Sequence, residues 1–150
     1  MRKIRRGVFE TNSSSTHSIT LSHGDIVQDK LHVNDRNECI IYTGEFGWEV
    51  EAYHDAATKA SYALTHAVNL GNSVKTAELL YMLRQAIERG IGDDVDIIFD
   101  ADPTSNEWGS NGYIDHQSFG VAEDAFRSVN TLHRFIFDRN SVLYTDNDNH

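Results

Sequence analysis

Cysteine is almost absent from this sequence: Cys39 is the only one in 150 residues. No disulfide can form within the chain, which excludes the small secreted folds held by such staples. Cys39 lies in the apolar run Cys39-Ile40-Ile41-Tyr42, where a thiol serves as a small buried hydrophobe and not as a nucleophile. Long apolar runs are missing as well. The longest, Leu79 to Leu83, falls far short of the roughly 20 residues a membrane-spanning helix needs. Proline occurs once, at Pro103. Basic residues are scarce: 13 Lys and Arg stand against 23 Asp and Glu, a net charge of −10. Arg2, Lys3, Arg5 and Arg6 take up four of the 13, so the rest of the chain carries −14. A body so acidic repels phosphate backbones, which excludes duplex nucleic-acid binding through a broad basic face. Small anionic ligands respond to local groups and stay open. The basic start is followed by no apolar core and is interrupted by Glu10. No signal or transit peptide is therefore expected, and the expected location is the cytoplasm.

What is present suits one domain spanning 1–150. This length buries roughly 70% of the surface its unfolded chain exposes, and 39% hydrophobic with 24% charged residues is an ordinary globular balance. Weak alternation over 3–9 and clearer alternation over 16–22 predict strands. In the second, His17, Ile19 and Leu21 share one face. A weak extended patch falls at 31–33 and a β-rich run at 39–43, closed by Gly44 and Gly47. Tyr53, Ala57, Ala60, Leu64 and Ala67 predict a helix over 48–69. A second follows from an Asn72 or Ser73 cap, with Ala77, Leu80, Leu83 and Ile87 buried and Gly90 and Gly92 at its end. Further strands are expected at 95–99, 113–114 and 141–145, with a loop at 101–112. Val121, Ala125, Val129 and Leu132 mark C-terminal helices, the second capped by Thr131. The expected fold is α+β: a small, mostly antiparallel sheet packed by a helical hairpin and one or two C-terminal helices.

Two segments carry candidate chemistry. Asn12-Ser13-Ser14-Ser15-Thr16-His17-Ser18 holds five hydroxyls, one amide and one imidazole in seven residues. Hydroxyls and turn amides surround a phosphate without adding charge, and His17 supplies a titratable nitrogen. Asp115-His116-Gln117-Ser118 sets an imidazole beside a carboxylate that can orient it, just before a helix. Turn chemistry and helix capping account for both segments without any function. Asp146, Asp148 and His150 in the tail are weaker candidates as oxygen and nitrogen ligands. His54 and His66 lack the i, i+4 spacing of a paired metal site and read as surface or packing residues. No metal or cofactor is assigned. Trp48 and Trp108 are candidate ligand contacts, although aromatics more often pack in cores.

The stretch from Arg6 to Ser18, with Gly44-Glu45-Phe46-Gly47-Trp48-Glu49, Tyr113-Ile114-Asp115-His116-Gln117-Ser118 and Thr145-Asp146-Asn147-Asp148-Asn149, resembles a family of small proteins encoded by bacteriophages and some bacteria. That resemblance implies a phage-type origin and no particular reaction.

The functional expectation is an enzyme or binder acting on a nucleotide or other phosphate-bearing ligand. His17 and His116 would form the acid–base pair and Asp115 would orient His116. Asn12, Ser13, Ser14, Ser15, Thr16, Ser18, Gln117 and Ser118 would hold the ligand, provided these groups converge. The alternative is an acidic, non-enzymatic protein that binds a host protein in place of nucleic acid. A virion component ranks last, because fibre repeats are lacking. His116-Gln117-Ser118 fits the His-x-Ser of two-histidine phosphodiesterases, but His17-Ser18-Ile19-Thr20 is out of register with it.

Overall fold

The computed structural model describes residues 16–47, 49–105, 107–115 and 118–146. The strand expected at 3–9 lies outside the described residues. The fold is α+β, as the patterning predicts. Its strands fall into three small groups. β1 (Ser18–Thr20) and β4 (Glu51–Tyr53) flank β7 (Val142–Thr145) in an antiparallel sheet. β2 (Glu38–Tyr42) and β5 (Asp96–Asp100) form a parallel pair, as do the shorter β3 (Glu45–Phe46) and β6 (Tyr113–Ile114). No strand forms at 31–33.

Helix α1 (Ala56–Val68) is the centre of the molecule. From Lys59 to Val68 every residue except Ser61 is buried, the pattern of a helix packed on all sides. It begins eight residues later than the 48–69 span predicts. The Asp55 carboxylate caps it by accepting from the Thr58 N–H at 2.9 Å, and Tyr53 belongs to β4, opposite Leu143. Ala57 is exposed, so the expected stripe was one residue out of phase there. Helix α2 (Ser73–Ile91) starts at Asn72, whose side chain accepts from Lys75 N–H. Its buried face begins at Thr76 and Leu79, with Ala77 outside.

Gly90 does not end α2. A Cβ there would lie 2.2 Å from Cζ of Phe137, so the glycine lets α2 meet α3 (Val129–Phe137) closely. The end is Gly92, at φ 100°, a left-handed position that glycine occupies without strain. A 3₁₀ helix (Phe119–Arg127) precedes α3, and Ser128, not Thr131, caps α3 by accepting from Thr131 N–H at 3.0 Å. Leu64, Leu83, Ile87, Leu132, Phe135 and Leu143 are among the fully buried side chains where these elements meet. Among the described residues no helix is long and apolar enough to cross a membrane.

Candidate functional site

Strand alternation places His17 inward and Ser18 outward at the start of β1. His17 is 5% exposed, and its backbone N–H and both ring nitrogens are committed. Its backbone N–H donates to Ser118 Oγ at 3.0 Å, across 101 positions of sequence. Its ring Nε2 stands 2.8 Å from the Gly47 carbonyl and its Nδ1 stands 3.0 Å from the Tyr62 hydroxyl. A carbonyl only accepts, so Nε2 carries the proton and Nδ1 accepts from the Tyr62 O–H. Burial, reinforced by Glu49, holds the Tyr62 hydroxyl well above its ordinary pKa, which keeps it a donor. The ring thus ties β1 to α1 and to the turn after β3.

The second segment arrives at the same place. Asp115 N–H donates to the Phe46 carbonyl at 2.9 Å, and Ser118 N–H donates back to the Asp115 carbonyl at 2.9 Å. Asp115 and Ser118 are 2% and 3% exposed. The Asp115 carboxylate accepts from the Tyr113 hydroxyl at 3.2 Å. Burial, with the carboxylate's charge and hydrogen bond, pushes that phenol up to about 12. Thr16 N–H donates to the Asp146 carbonyl at 3.0 Å, so the chain reaches His17 along the end of β7.

The structure therefore brings together His17, Asp115 and Ser118, with Thr16 adjacent. It turns the Ser18 side chain to the other face of β1, where the residue is exposed opposite Tyr144. Asn12, Ser13, Ser14, Ser15, His116 and Gln117 lie outside the described residues, as do Trp48, Asp148 and His150. Tyr62, Tyr113 and the Gly47 carbonyl are the partners that sequence reasoning missed. Tyr62 reads as one more apolar residue in a helix, and nothing local marks a backbone carbonyl as a histidine partner.

Two further polar features lie in the core. Lys59 is fully buried and its Nζ donates to the carbonyls of Asp138 and Ser141, both at 2.7 Å. Burial lowers its pKa to about 8, partly offset by Asp138 and Asp29. Burial alone would raise the Asp138 carboxyl. Bonds from Ser22 and from the N–H groups of Asn140 and Val27, with the Arg134 charge, outweigh it and hold that carboxyl below its usual range. His66 packs between Phe119 and Phe126, at ring-centroid distances of 4.6 and 5.8 Å, and is 1% exposed. His54 is exposed, with Nδ1 bonded to the Arg139 carbonyl. Among the described residues, no cluster of His, Cys, Asp and Glu is placed to hold a metal ion.

Compared with protein-family models, curated proteins and solved structures, the chain matches none.

Proposed function

We propose that the protein binds a nucleotide or another phosphate-bearing ligand at the junction of His17 with Asp115 and Ser118. The observation that carries this reading is the bond from His17 N–H to Ser118 Oγ, 3.0 Å long, between segments 101 residues apart. The Asn12–Thr16 and Gln117–Ser118 residues supply hydroxyls and amides, neutral donors of the kind that hold a phosphate, beside the buried Asp115 carboxylate. Both ring nitrogens of His17 are engaged, so His17 is a positioning residue. This favours a binder over two-histidine acid–base chemistry and leaves His116 as the candidate for any proton transfer, with Asp115 orienting it.

The test is calorimetric titration with adenosine monophosphate and with inorganic phosphate. The full chain binds at least one of them saturably. H116A, and the triple replacement of Ser13, Ser14 and Ser15 by alanine, weaken binding about tenfold or more while unfolding stays cooperative. Absence of binding to the full chain at millimolar ligand, or variants that bind like it, would overturn the reading.

One feature favours a second reading, association with a host protein through carboxylates. Glu38 stands opposite Asp96 in the parallel pair, and Asp93, Asp94 and Asp100 are exposed nearby in sequence. Glu38 is bound by Arg36 and Asn34, so the exposed aspartates are the carboxylates open to a partner of positive charge. Capture from bacterial lysate at low salt, lost at high salt and lost on D93N/D94N/D96N substitution, is the expected result. Capture that ignores both would exclude it.

A further inference from the structure

A cleft of about 780 Å³ lies between the α1–α2 turn and the 101–112 loop. Trp108 stands in its wall with 86% of its surface exposed. Its ring is tilted against Tyr113 at 6.0 Å between centroids. An indole left this open buries little apolar surface in the folded chain, so its stability does not depend on it. The loop that presents it is nonetheless well tied. Asn111 exchanges two hydrogen bonds with the Asp102 backbone, at 2.8 and 2.6 Å, and the Asn69 side chain donates to the Asn111 carbonyl at 3.1 Å. Gly112, at φ 77°, sits so close to β3 that a Cβ would lie 2.3 Å from the Gly44 carbonyl oxygen.

The chemistry of the lining is uncharged apart from Glu107, since Tyr113 keeps its proton to about pH 12. Three polar groups of the lining have no partner among the described residues. Asn69 spends both amide hydrogens on carbonyls, leaving Oδ1 as an acceptor. Asn72 spends Oδ1 on the helix cap, leaving Nδ2 as a donor. The Ser73 hydroxyl serves as either. An open aromatic face beside neighbouring donor and acceptor groups matches a flat, neutral heteroaromatic ring, which stacks on indole and offers donors and acceptors along its edge.

We propose that this cleft binds the base of a nucleoside or nucleotide, stacked on Trp108. Tyr113 and Ile114 on one side and Phe119 on the other line the cleft and bracket Asp115–Ser118 in sequence. A 5′-phosphate on the bound nucleoside would then be directed to the junction described above. That last step alone rests on the phosphate reading; the base site stands without it.

The experiment is saturation-transfer NMR and calorimetry on the full chain with adenosine, guanosine, cytidine and uridine, none of which carries phosphate. At least one binds, and W108A weakens it about tenfold with an unchanged melting temperature, while W108F retains most of the affinity. The proposal is overturned if none of the four binds, or if W108A binds equally well. It is also overturned if a neutral disaccharide alone shows the Trp108 dependence. Nucleoside binding with no gain from a 5′-phosphate would sustain the base site and defeat the phosphate reading. Monophosphate binding that is indifferent to W108A would do the reverse.

Discussion

Lys59 places an ammonium group in a fully buried position, between the carbonyls of Asp138 and Ser141. Burial lowers its folded pKa to about 8, against 10.5 in the unfolded chain. Between those values the unfolded chain holds the extra proton, so this residue makes stability rise with pH, by about 3 kcal/mol over the full window. Cys39 acts oppositely above about 9, because burial raises its pKa from 9.0 and the unfolded chain loses its proton first. The effect is therefore read as a difference. K59M leaves two buried carbonyls without donors and costs about 2 kcal/mol at pH 7, and its deficit widens by pH 9.5. Urea denaturation of both proteins at the two pH values checks this; a constant gap would contradict it. His66 behaves in the same sense at acid pH. Burial lowers its folded pKa, although the Phe119 backbone and Glu123 pull the other way. Stability should thus fall as pH drops through the unfolded value of 6.5. H66F, which keeps the stacking on Phe119 and Phe126, should flatten that fall. His133, also lowered chiefly by burial, contributes in the same sense, and the lowered Asp138 carboxyl adds to the fall at more acid pH.

At the scale of elements, G90A is the informative substitution. Alanine is a better helix former than glycine by roughly 1 kcal/mol, which predicts stabilisation for a glycine inside α2. The Phe137 ring, 2.2 Å from the would-be Cβ, must move instead, and overpacking of this kind costs about 1–3 kcal/mol. A net loss of melting temperature is expected; a gain would show that α2 and α3 have room to separate. H17A should cost about 2–4 kcal/mol, since it strands the buried Tyr62 hydroxyl and the half-buried Gly47 carbonyl. Features made by neighbouring residues were legible in the sequence. The Asn72 cap of α2 is one, because the capping side chain and its N–H lie three residues apart. The start of α1 was not legible, because Tyr53 is held in β4 by Leu143, 90 residues away. Periodicity carried the helix reading back through it. Ser128 and Thr131 both suit a cap, and their hydroxyls lie 2.9 Å apart, so composition could not choose between them.

For the whole molecule, the chain beyond the first six residues carries −14, while the proposed site sets hydroxyl groups beside a single buried carboxylate, Asp115. The two polar segments stand out in the sequence by their composition. Their meeting does not, since it depends on one hydrogen bond between His17 and Ser118, 101 residues apart. The role of His17 also changed with the structure. A histidine in a serine-rich turn invites an acid–base assignment, yet Tyr62 and Gly47 occupy both ring nitrogens. The proposed site therefore rests on convergence at Ser118 more than on either imidazole. It is tested most directly by mapping amide chemical shifts of the full chain during titration with adenosine monophosphate. Saturable shifts at Thr16, His17, Asp115 and Ser118, reproduced by inorganic phosphate, are predicted. No saturable shift at these residues, or shifts confined to the α2–α3 face, would contradict it.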